Sequence, residues 1–88
     1  MPRLSKAESN LLYALLKGDT LKSHRYLDGT KIFQVHSLAG QVEPVQKRLV
    51  ETLQKHGFIT SNQKFPAATY LLTEQGRAVA ARLEKVLP

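Results

Sequence analysis

The sequence predicts an α+β fold in one domain covering residues 1–88, with elements in the order α-β-β-α-β-β-α. Three observations predict it. Leucines recur at helical spacing behind a capping signature near the N-terminus. Two stretches rich in β-branched and aromatic residues each fold back about a turn. A second helical stripe, polar on its opposite face, lies between those two stretches. Eighty-eight residues are too few for two domains that each bury a useful core.

The first helix is expected from about Ser5 to Lys17. Ser5-x-x-Glu8 is a capping box, in which each residue's side chain satisfies the other's amide. Leu11, Leu12, Leu15 and Leu16 follow on one face, and Gly18 suits the left-handed residue that ends a helix. The stretches Leu21–Tyr26 and Lys31–Ser37 then read as a β-hairpin about Asp28-Gly29, a two-residue turn in which both positions tolerate positive φ. Leu38-Ala39-Gly40 reads as a turn.

The second helix is expected over Glu43–His56, with Pro44 in its first turn, where a missing N–H costs nothing. Val45, Leu49 and Leu53 recur every four residues, and Val50 widens the stripe. Gly57 ends this helix, and Phe58-Ile59 begin a strand. The polar run Ser61–Pro66 makes the tip of a second hairpin, whose return strand is Ala68–Leu72. Thr73 caps a third helix with Val79, Leu83, Val86 and Leu87 on its apolar side. Gly76 near its start is a poor helix former, so tight packing is expected to favour it.

The chain has 42% hydrophobic and 23% charged residues, enough apolar content to offset chain entropy and argue against disorder. It has no cysteine, which excludes disulfides, thiolate metal sites and a cysteine nucleophile. No apolar run approaches the roughly 20 residues of a membrane span. The start Met1-Pro2-Arg3-Leu4-Ser5-Lys6 lacks the apolar stretch of a signal peptide, so the sequence reads as cytoplasmic. Thirteen Lys/Arg against seven Asp/Glu give a net charge of +6, which favours an anionic partner, nucleic acid foremost.

The run from Val45 to Arg77 carries a resemblance. It reads helix, Leu53-x-x-x-Gly57-Phe58-Ile59, hairpin, then Leu72-Thr73-x-x-Gly76-Arg77. This resembles the recognition helix, wing and following helix of winged-helix regulators of the MarR and PadR types. The resemblance implies a winged helix-turn-helix-like fold and a small transcriptional regulator that binds double-stranded DNA. One departure stands out: such folds place a short helix ahead of the recognition helix, where this chain has the Asp28-Gly29 hairpin.

In that arrangement helix Glu43–His56 would enter the major groove, whose dimensions suit an α-helix. Gln46 and Arg48 are expected to read base edges, and Lys47, Lys55 and Lys64 to hold phosphates, with Glu51 on the same face. The plainer explanation is a solvated helix face on which Glu51 and Lys55 form an i, i+4 pair.

The segment Leu4-Ser5-x-x-Glu8-x-x-x-Leu12-x-x-Leu15-x-Lys17-Gly18, with the Gly-centred hairpin after it, resembles small bacterial YjhX-type proteins. These have the same order of elements and are grouped as toxins of toxin–antitoxin pairs. That likeness implies a bacterial or mobile-element origin and a protein target, and it transfers no functional residue. A protein-binding module on this scaffold, whether toxin, antitoxin or inhibitor, is therefore the alternative to DNA binding, with RNA binding third. The apolar stripes of the terminal helices predict a homodimer.

No cofactor, metal or catalytic residue is expected. His24, His36 and His56 lack the short spacings of a zinc site, although His24 and His36 are expected across the first hairpin from each other. His56 at a helix C-terminus is favoured when charged. The acids are not paired within one local element, and neither a Gly-x-Ser-x-Gly elbow nor a phosphate-cradling glycine loop is present, so the chain does not read as an enzyme.

Overall fold

In the computed structural model, which describes residues 4–64 and 66–83, α1 (Lys6–Lys17) opens on the expected capping box. The Ser5 amide donates to the Glu8 carboxylate at 2.7 Å, and the Glu8 amide to the Ser5 hydroxyl at 3.1 Å. After α1 the chain forms β1 (Thr20–Arg25), β2 (Lys31–His36) and β3 (Val42–Val45), then α2 (Lys47–Lys55), β4 (Ile59–Ser61), β5 (Ala67–Leu72) and α3 (Glu74–Leu83). The five strands make one antiparallel sheet in the order β3-β2-β1-β5-β4.

The element order is thus α-β-β-β-α-β-β-α, one strand more than expected. Residues 43–45, expected inside the second helix, extend along β2 instead, with Val45 opposite Phe33, Pro44 opposite Gln34 and Glu43 opposite Val35. Pro44 is tolerated because β3 is an edge strand, where an absent N–H need not break the ladder. Pairing with β2 also turns Val45 toward the core beside Phe33.

The turn between β1 and β2 differs from the two-residue form expected. Only Gly29 has positive φ, at 92°. The Gly29 amide donates to the Tyr26 carbonyl, and the Tyr26 amide to the Thr30 carbonyl, closing a three-residue loop. Asp28 contributes its carboxylate, which accepts the Thr30 amide at 2.9 Å. The β2–β3 turn repeats the pattern: Gly40 has φ 88°, its amide donates to Ser37, and the Ser37 amide donates to Gln41.

Side chains alternate across each strand. Leu21, Phe33, Tyr70 and Ile59 face one side of the sheet and are buried. All three helices cover that side, and Leu12, Val50, Leu53 and Phe58 complete the core with 1% exposure or less. The stripes of α1 and α3 meet within the chain. Leu11, Leu12, Val79 and Ala80 are buried, and Leu15, Leu16 and Leu83 pack part-exposed against them. Val86 and Leu87 lie outside the described residues. The other side of the sheet carries no helix. Among the described residues no helix is long and apolar enough to cross a membrane.

Candidate nucleic-acid interface

The amphipathic pattern of α2 fixes which residues it offers. Val50 and Leu53 are buried and Leu49 half-buried, which turns Lys47, Arg48, Glu51, Gln54 and Lys55 outward. The helix is held at its far end by the Gly57 turn, where the Phe58 amide donates to the Leu53 carbonyl at 3.0 Å. His56 caps it, with its ring 5.6 Å from that of Phe58.

Of the six residues expected to contact DNA, four share this outer face: Lys47, Arg48, Glu51 and Lys55. Gln46 does not belong with them. It is the N-cap, in extended conformation, and it borders the groove between α1 and β3. The reassignment of residues 43–45 to β3 causes this shift. Glu51 pairs with Lys47, at 4.0 Å, instead of with Lys55. Both partners are about two-thirds exposed, so the pair stabilises little and the lysine stays available.

Lys64 sits in the tip of the β4–β5 hairpin. That tip is shaped by Asn62, whose side-chain oxygen accepts the Lys64 amide at 3.2 Å and the Thr69 amide at 3.1 Å. Gln63 beside it has φ 57°, the left-handed region. Gln54 of α2 and Lys64 of the hairpin border one cleft of about 340 Å³.

The cleft also holds Arg25 and Lys31, two cations that the sequence reading left out. They close the β1–β2 ladder opposite each other. Counting outward from Asp28, three residues on each side, would have paired them, but their common side depended on a ladder register that the imperfect alternation left open.

His24 and His36 do not face each other: His24 stands opposite Ile32, and His36 opposite Thr20. Both lie on the helix-free side, where the His24 ring meets Tyr26 edge-on at 4.7 Å. Among the described residues no group of three or more His, Asp or Glu side chains is placed to hold a metal ion. The Asp28 carboxyl, in the β1–β2 turn, is perturbed by its neighbour Thr30. The Thr30 backbone amide, and after it the Thr30 side chain, lower its carboxyl below the ordinary value.

Comparison with known protein families, curated proteins and solved structures found no match to the chain.

Proposed function

We propose that this chain binds nucleic acid, double-stranded DNA in the first instance, through the outer face of α2 and the β4–β5 hairpin, as a small regulator of transcription. The observation that carries the reading is the disposition of charge. The α2 face presents Lys47, Arg48 and Lys55 against the single carboxylate of Glu51, and a hairpin carrying Lys64 stands across a shared cleft from Gln54. A helix of this kind fits a major groove while an adjacent hairpin reaches the phosphate backbone.

A winged-helix likeness belongs to the same proposal. It is supported by α2 leading directly into a hairpin whose return strand, β5, pairs with β1. In this chain β2 and β3 take the place of the helix that precedes a recognition helix, so α2 rests on a sheet and its docking angle is its own.

The test is a fluorescence titration of the protein with genomic DNA fragments at several salt concentrations. Four cations on the proposed face predict that log K falls against log salt with a slope of about −3 to −4. Absence of binding at low salt overturns the reading.

A second reading, a protein-binding module of the toxin, antitoxin or inhibitor kind, is favoured by one observation. The helix-free side of the sheet exposes Leu71 at 56%, Val42 at 49% and, beside His24, Tyr26 at 46%. Binding there would be carried by apolar area and would depend weakly on salt. The homodimer through α1 and α3 remains a proposal. Its contact would use the part-exposed Leu15, Leu16 and Leu83, and a monomeric mass in light scattering at tens of micromolar overturns it.

A further inference from the structure

Arg25 and Lys31 stand directly opposite each other at the turn end of the β1–β2 ladder. Their neighbours along each strand, Ser23 and Phe33, are buried under the helices, so by alternation both cations point to that same side. Like charges directly opposite on a sheet repel and destabilise it. Among the described residues no carboxylate lies within ion-pair distance of Arg25, Lys31 or Lys64 to offset that repulsion.

Lys31 is not turned out to solvent. Its ammonium lies 5.3 Å from the centroid of the Phe33 ring and 5.9 Å from that of Tyr70. Aromatic faces hold a cation there without neutralising it. Ser23 lines the same cleft, is only 3% exposed, and has no hydrogen-bond partner for its hydroxyl among the described residues. Its oxygen is not sealed off, so it opens into the cleft. The hydroxyl keeps solvent contact there and has no protein partner, so it is available to a ligand in the cleft.

These two observations, an uncompensated cation pair and a hydroxyl with no protein partner that opens to solvent, meet in one cleft. We propose that the cleft is a phosphate-binding site. The Arg25 guanidinium and the Lys31 ammonium neutralise the phosphate oxygens, the Ser23 hydroxyl and the Gln54 amide donate to them, and Lys64 closes the site from the hairpin. The phosphate belongs either to a nucleic-acid backbone lying along α2 or to a free phosphorylated small molecule. The first source rests on the reading of α2 given above, whereas the site itself does not.

The test uses the full chain, labelled with ¹⁵N and titrated with inorganic phosphate while chloride keeps the ionic strength constant. Saturable shifts are expected at the amides of Ser23, Arg25, Lys31 and Gln54. Arg25→Gln and Lys31→Gln should each weaken binding about tenfold, the share of one charge-assisted contact. Both variants relieve the repelling pair, so in phosphate-free buffer they should melt at or above the wild-type temperature, which controls for folding. Phosphate should then raise the melting temperature of the wild type and not of the variants.

Shifts that grow linearly, that spread over all lysines, or that survive both substitutions overturn the proposal. A duplex that displaces phosphate from these amides identifies the backbone as the source. A duplex that binds beside it, or does not bind at all, identifies a free phosphate ester, and in the last case the DNA reading falls while the site stands.

Discussion

Gly76 lies directly against the backbone of Phe58: a β-carbon built on Gly76 would stand 1.8 Å from the Phe58 carbonyl oxygen and 2.9 Å from its Cα. That oxygen also accepts the Thr73 amide at 3.0 Å, and the Thr73 hydroxyl accepts the Gly76 amide at 3.0 Å while donating to the Gly57 carbonyl. The start of α3 is thereby fastened to the end of α2, and the hairpin between them leaves from the same point.

Gly76→Ala is therefore expected to destabilise the fold by more than the about 1–3 kcal/mol usual for overpacking, because the obstacle is backbone and cannot change rotamer. Urea denaturation measures it. A midpoint within error of the wild type would show that α3 moves off Phe58 at little cost.

The acid limb of stability should carry a contribution from Asp28. Hydrogen bonds from Thr30 hold its folded-state pKa below the unfolded value, so the ionised form is favoured in the native chain. The stabilisation is present above the unfolded pKa of about 3.9 and is lost as pH falls through the lower folded value. Carboxyl NMR of Asp28 should give a midpoint below about 3.9. In Asp28→Asn, stability should change less with pH in that window, and a wild-type midpoint at or above the unfolded value contradicts the assignment.

Much of this fold was legible in the sequence. The Ser5–Glu8 box, the Gly18 and Gly57 stops, the Thr73 cap and both hairpins are local signals, and local physics decides them. Gly76 was legible as an anomaly: a poor helix former that had to have a packing reason, which Phe58 supplies.

The third strand was not read, although a sign of it was present. Leu-x-Gly recurs at Leu27-Asp28-Gly29 and Leu38-Ala39-Gly40, and both glycines close the same turn. Val45 fits a four-residue helical period and a strand pairing equally well. Its partner Phe33 decides between them, and that partner lies 12 residues away. For the same reason the sequence put Gln46 inside the helix, whereas it followed residues 43–45 out of it, and it gave no sign that Arg25 and Lys31 converge, which depends on register.

Glu51 should oppose DNA binding through α2. It is the sole carboxylate on that face and stands 4.0 Å from the Lys47 ammonium. Glu51→Gln removes a repulsion with phosphate and frees Lys47, so affinity for mixed-sequence DNA should rise and the salt slope should steepen by up to about one unit. Since the pair is exposed, the melting temperature should hardly move. If the variant binds mixed-sequence DNA more weakly, Glu51 contacts the duplex directly, as an acceptor for a cytosine amino group.

Arg48 and Lys64 should separate recognition from attraction. Arg48 is exposed on the outer face of α2, one residue into the helix, and its planar fork can bond guanine through two atoms. Lys64 is a point charge on the hairpin tip that Asn62 shapes, borders the cleft and is suited to phosphate. Lys64→Ala should weaken binding equally for all sequences and flatten the salt slope by about one unit. Arg48→Ala should lose about 1–3 kcal/mol, mostly on a selected site and little on a mixed pool. Both side chains are exposed, so neither variant should change the fold, and circular dichroism checks that. Titration against a selected duplex and a genomic pool at two salt concentrations distinguishes the roles. If the two variants behave alike, the domain holds only the backbone, and any sequence preference must come from the deformability of the DNA and not from α2.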